Sequence, residues 1–65
     1  MRLTEFWTRM HEAFGGRLPA ETFAQDVLLS RLGNRTVNQT LASGEDAKRV
    51  WTAVVQDMEL PARLR

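Results

Sequence analysis

Ala47-Lys48-Arg49-Val50-Trp51-Thr52-Ala53-Val54-Val55-Gln56-Asp57-Met58 is the stretch that decides the fold class. Ala47, Val50, Trp51, Val54, Val55 and Met58 fall at i, i+3, i+4, i+7, i+8 and i+11, the spacing that gathers side chains on one broad face of a helix. Glu45 and Asp46, just ahead of it, place negative charge where the N-terminal end of the helix macrodipole favours it. Pro61 disfavours helical geometry at Leu60. The spacing therefore predicts a helix over residues 46–59, followed by a tail over 60–65.

Working outward, Thr36-Val37-Asn38-Gln39 has the order of a capping box. In that arrangement the Thr hydroxyl takes an orphan N–H and the Gln side chain reaches back to the cap. A short helix over 36–42 follows, anchored by Val37 and Leu41 and closed by Ser43-Gly44. Pro19 suits the first position of the preceding helix, since its φ is preset and no needed N–H is lost. Ala20, Phe23, Ala24, Val27 and Leu28 form that helix's stripe, and Gly33-Asn34 is its stop, giving residues 19–32. Leu29 breaks the stripe: at about 100° per residue it points nearly opposite. A helix apolar on two sides is expected to be the central one, with Leu29 meeting a partner as the alternative.

At the start, Leu3, Phe6, Trp7, Met10, Ala13 and Phe14 recur at three- and four-residue steps. A helix over 4–14 is expected, with Thr4 as N-cap, Glu5 pairing with Arg9 across one turn, and Gly15-Gly16 supplying a positive φ at its end. The chain thus reads as one all-α domain over 1–65, a compact bundle of about four short helices. Connections of about two to four residues make successive helices neighbours.

Composition narrows the function classes. With 43% hydrophobic and 26% charged residues the chain is too apolar for intrinsic disorder. It has no cysteine, so neither disulfides nor thiolate metal sites supplement a core that is small at 65 residues. No apolar run nears the roughly 18 residues of a membrane span, and the N-terminus lacks the apolar core of a signal peptide, so the cytoplasm is the expected compartment, with no membrane contact. Nine basic and eight acidic side chains are mixed along the chain, for a net charge of +1, which steers it toward neither nucleic acid nor anionic lipid.

Candidate chemistry is sparse. His11 is the only histidine, and a metal site would need it with carboxylates such as Glu12. Ala13-Phe14-Gly15 follows the pair, so the second histidine of the metalloprotease helix motif is missing, and a half-buried boundary position is expected for His11. The hydroxyls Thr4, Ser30, Thr36 and Ser43 stand where caps and helix ends want them, not beside a base. Gly15-Gly16 follows a helix, unlike the phosphate-cradling glycine motifs that follow a strand. No enzyme activity and no cofactor is expected.

The last two helices could form a DNA-binding helix-turn-helix, with Leu41-Ala42-Ser43-Gly44 as the turn and Lys48, Arg49, Thr52 and Gln56 exposed on the second helix. Glu45 and Asp46 oppose this, because the N-terminal end of a recognition helix faces phosphates that repel carboxylates. Arg31, Arg35, Lys48 and Arg49 are the candidate nucleic-acid contacts under that reading. Leu29, Leu60 and Leu64 are the candidate residues of a protein-interaction surface, for a partner protein or a second copy of the chain.

Met1-Arg2-Leu3-Thr4-Glu5-Phe6-Trp7, the Phe14-Gly15 stop, Gly33-x-Arg35-Thr36, Leu41-x-x-Gly44 and Val50-Trp51-x-Ala53 resemble a family of short actinobacterial proteins, the domain of unknown function 3046 family. The resemblance spans nearly the whole chain. It implies no assigned activity, and a loose association with DNA repair or its control, since genes of the family often lie near those of the RecA recombinase and its regulator. Relatives often carry a histidine after the aspartate that aligns with Asp26 and a cysteine at the position of Val55. Val27 and Val55 stand here, so any metal or redox role of that pair would be absent from this chain. The expected function is a non-enzymatic interaction or regulatory module, with a DNA-associated module linked to repair or recombination as the alternative.

Overall fold

The broad apolar face of the last helix makes it the element on which the rest is assembled. The computed structural model describes residues 1–15 and 19–61. It contains α1 (Leu3–Phe14), α2 (Ala20–Asp26), α3 (Val37–Ala42) and α4 (Ala47–Asp57), with a 3-10 turn at Ser30–Leu32. α1 packs on α2 and α4, and α3 packs on the same two, so the four helices close a ring. α4 also carries the 3-10 turn. Ala47, Val50, Trp51, Ala53, Val54 and Val55 of α4 are all buried, which makes α4 the central helix. The expectation that the second helix would be central is corrected by this arrangement.

The ends of α4 follow from local chemistry. Asp46 caps it, its carboxylate accepting from the Lys48 N–H at 3.3 Å. At the other end the Glu59 N–H donates to the Gln56 carbonyl at 3.4 Å and the Leu60 N–H to the Val55 carbonyl at 3.0 Å, the paired bonds of a Schellman stop. Glu59 holds the left-handed position, with φ 51°, that glycine usually fills. The helix therefore ends at Asp57, short of residue 59, and Met58 is exposed although the spacing placed it on the apolar face. α3 begins with the expected capping box: Thr36 Oγ1 accepts from the Gln39 N–H at 3.0 Å and Gln39 Oε1 from the Thr36 N–H at 2.9 Å. Thr40, which the sequence does not mark as core, is buried because its hydroxyl donates to the Thr36 carbonyl at 2.9 Å and so leaves no donor unpaired.

α1 starts one residue early. Arg2 occupies the N-cap position without a side-chain bond, and Thr4 does not cap; its carbonyl instead accepts from the Thr8 hydroxyl at 3.0 Å. The Glu5–Arg9 pair forms at 3.4 Å. The helix stops at Phe14 as expected, but Gly15 is not left-handed, and Gly16 lies outside the described residues. Phe14 stacks on Phe23 at 4.4 Å between ring centres, joining α1 to α2, and Phe6 meets Trp51 edge to face at 6.3 Å, joining α1 to α4.

The region after α2 departs most from expectation. Pro19 is the cap and Ala20 the first helical residue, and the helix ends at Asp26, not at 32. Val27 and Leu29 have extended backbones, and Leu29 and Arg35 form a single antiparallel bridge, with the Leu29 N–H donating to the Arg35 carbonyl at 3.0 Å. Gly33 and Asn34, with φ 74° and 61°, reverse the chain between them. An extended chain alternates its side chains with a period of two, where a helix uses 3.6. That change of period exchanges the roles of two neighbours: Leu29 is buried in the core and Leu28, assigned to the helical stripe, is 60% exposed.

Candidate functional site

The polar side of α4 is left uncovered by the ring of helices. Lys48, Thr52 and Gln56, at successive four-residue steps, are exposed and form a ridge along it. A groove lies on each side of that ridge, and all three residues line both grooves.

The larger groove, about 710 Å³, runs between α4 and the 27–35 reversal. Arg31 and Arg35 reach it from the reversal, Lys48 and Arg49 from α4, and Leu32, Thr40 and Ala53 also line it. All four candidate nucleic-acid contacts are thus gathered around one groove, although the pairs stand more than a dozen positions apart in the chain. The fold accounts for this. Were residues 19–32 one helix, Arg31 would sit on its last turn; the bridge and the Gly33-Asn34 turn instead bring Arg31 and Arg35 together beside α4.

Three of the four cations are engaged. Arg31 Nε donates to Asp57 Oδ1 at 2.9 Å, and the Arg31 backbone N–H donates to Asp57 Oδ2 at 3.3 Å, so one half-buried carboxylate clamps the reversal to the end of α4. Arg35 Nε donates to the Leu32 carbonyl at 3.0 Å, which braces the reversal from within. Arg49 pairs with Glu45 at 3.5 Å across one helical turn. The Lys48 ammonium meets no carboxylate among the described residues. Glu45 and Asp46 also line the groove, so its charge is mixed, with a basic excess on the side of the reversal.

The smaller groove, about 460 Å³, lies between α4 and the first half of α1. Trp51, Val55 and Met1 supply its apolar lining, and Glu5, Arg9 and Lys48 its charged groups. The sequence marks Trp51 and Val55 as core by default, with the edge of one tryptophan as a candidate interface anchor. Their dual role depends on how closely α1 approaches α4, which helical spacing does not express.

The apolar candidates fare differently. Leu29 is 3% exposed and packs in the core, the first of the two readings of this residue, so the packed monomer offers little of it to a partner. Leu60 is half-buried against the core beside the Schellman stop. Leu64 lies outside the described residues. Leu3, Leu28, Met1 and Met58 are the exposed large apolar residues among those described.

His11 is exposed, not half-buried, and its Nε2 lies 2.8 Å from Glu21 Oε2 on α2. Glu12 is exposed beside it, and no three His, Asp or Glu residues are grouped for a metal ion among the described residues. Among them, too, no helix is long and apolar enough to cross a membrane.

Comparison with known proteins returns one family, described as Protein of unknown function (DUF3046), whose match covers residues 1–63 of the chain. No curated protein and no solved structure matches it.

Proposed function

The chain belongs to the DUF3046 family of proteins of unknown function, and from that premise we propose a non-enzymatic interaction or regulatory module of the cytoplasm that meets a partner protein on the exposed ridge of α4 and its basic groove. The observation that carries this reading is the convergence of Arg31, Arg35, Lys48 and Arg49 on one open groove. Arginine is enriched where protein surfaces meet, because its planar fork pairs with carboxylates and stacks on apolar groups. The presence of Glu45 and Asp46 in the same groove suits a protein segment of mixed charge better than a continuous row of phosphates. A non-catalytic role is supported by the groove's hydroxyls. Thr40 donates to the Thr36 carbonyl and Thr52 to the Lys48 carbonyl at 2.9 Å, so both protons are committed to backbone acceptors.

The test is capture of partners from nuclease-treated native extract, comparing the wild-type chain with the Lys48→Glu/Arg49→Glu double variant. A protein retained by the first and lost by the second is expected. An identical set of retained proteins would remove the groove from the function.

A second reading, a DNA-associated module linked to repair or recombination, is favoured by one observation: α3, a four-residue turn and α4 follow in helix-turn-helix order, with Lys48, Arg49, Thr52 and Gln56 all exposed on α4. Backbone binding is strongest at low salt, so titration of duplex DNA at ~50 mM salt decides it. Saturable binding that the same double variant abolishes would support it, and absence of binding would exclude it.

A further inference from the structure

Arg31 and Arg35 are held in the same way. Arg31 donates from Nε to Asp57 Oδ1 at 2.9 Å, while its backbone N–H donates to Oδ2 at 3.3 Å. Arg35 donates from Nε to the Leu32 carbonyl at 3.0 Å. In each case the fold grips the inner nitrogen of the guanidinium, and the terminal Nη groups meet no acceptor among the described residues. Both arginines are exposed, and both line the larger groove. A guanidinium fixed at Nε has its plane set in advance, so its remaining N–H donors can take an outside acceptor with little further ordering.

Charge places that acceptor at one end of the groove. Four cations and the carboxylates of Glu45 and Asp46 line it, in a chain whose net charge is +1. Glu45 and Asp46 stand at the start of α4; Asp57, which holds Arg31 without lining the groove, is its last residue, roughly 16 Å away along the helix axis. Acidic groups of a ligand are therefore repelled from the start of α4 and drawn to the reversal. A continuous row of phosphates would have to run past Glu45 and Asp46, whereas a peptide can carry its acids at one end. With the groove taken as the partner's seat, on which this rests, we infer that the partner's segment is acidic where it crosses the 27–35 reversal. Its carboxylates pair with the terminal N–H groups of Arg31 and Arg35, which Asp57 and the Leu32 carbonyl hold in position. Such carboxylate–guanidinium pairs are short, directional and charge-assisted. Asp57 thereby acts against its own charge: the carboxylate repels an acidic ligand, yet removing it frees Arg31 and weakens binding.

The probe is triglutamate, acetylated and amidated at its ends, which at about 10 Å extended is short enough for the reversal end alone. Titrated at ~50 mM salt, it should shift the Arg31 and Arg35 Nε–H resonances saturably, and triglutamine should not. Arg31→Lys and Arg35→Lys keep the charge and lose the fork, and each should weaken the probe about threefold or more. Asp57→Asn should weaken it about twofold or more, although it removes a negative charge. Should a variant disturb the fold, the shifts in the wild-type chain still decide. Absence of a saturable shift, or equal shifts with triglutamine, overturns the acidic segment. Full affinity in both lysine variants, or tighter binding by Asp57→Asn, overturns the positioned forks. Duplex DNA that binds saturably through the same two arginines where triglutamate does not overturns the segment in favour of nucleic acid. Capture of a partner that depends on Lys48 and Arg49, with both arginines unmoved by triglutamate, removes the acidic occupant and leaves the groove; capture that ignores Lys48→Glu/Arg49→Glu removes the groove itself.

Discussion

α4 and the segment 27–35 carry apolar residues at similar density, yet the sequence describes the first almost to the residue and the second wrongly. The difference lies in redundancy. Five apolar positions of α4, Ala47, Val50, Trp51, Val54 and Val55, agree on one helical face, with a capping aspartate before them and a proline after them, so no other period fits. Val27-Leu28-Leu29 is three apolar residues in a row, which any period accommodates. Extending the α2 stripe through it is the natural reading. The chain instead stops the helix at Asp26, because an extended strand followed by a tight reversal buries both Leu29 and Leu32, while a helix would have turned Leu29 away.

The sharpest way to break this comparison is to truncate the two adjacent leucines separately. Leu29→Ala should cost about 3 kcal/mol in urea denaturation, and Leu28→Ala less than about 0.5 kcal/mol, since only the first empties a packed site. A helix continuing through the segment would reverse the order. In α4, Val54→Ala should cost about 2 kcal/mol, because Val54 is fully buried at the centre of the ring. Asp57→Ala tests the link between the two regions: losing the bonds to Arg31 should cost about 1 kcal/mol, a modest value because the arginine is largely exposed. It should also loosen the reversal, seen as faster amide exchange at Leu29 and Asn34, whose N–H groups bond within it. The smallest effect is expected at the end of α4, where Glu59→Gly should raise stability by about 0.5 kcal/mol, the relief of a left-handed side chain exceeding the added freedom of the unfolded chain.

The candidate site was legible to the extent that it rests on helices. Lys48, Arg49, Thr52 and Gln56 could be placed on an exposed face because α4 could be placed. Arg31 and Arg35 could be listed as basic but not assigned to the same groove, since their meeting depends on a single bridge and two left-handed residues. Gly33-Asn34 carried a signal for those left-handed residues, read as a helix stop where it is a reversal. Pattern placed Trp51 on the buried face of α4 and went no further. Periodicity states that a residue faces inward; whether its one donor finds an acceptor there depends on the neighbouring helix.

The account turns on the chain leaving helical geometry at Asp26, because that departure both buries Leu29 and builds the basic groove. The nuclear Overhauser spectrum of the backbone tests it most directly. The predicted result is a loss of strong sequential amide–amide contacts from Val27 to Leu29, with cross-chain contacts between Leu29 and Arg35. Unbroken amide–amide contacts from Ala20 through Leu32, with no contact from Leu29 to Arg35, would contradict it.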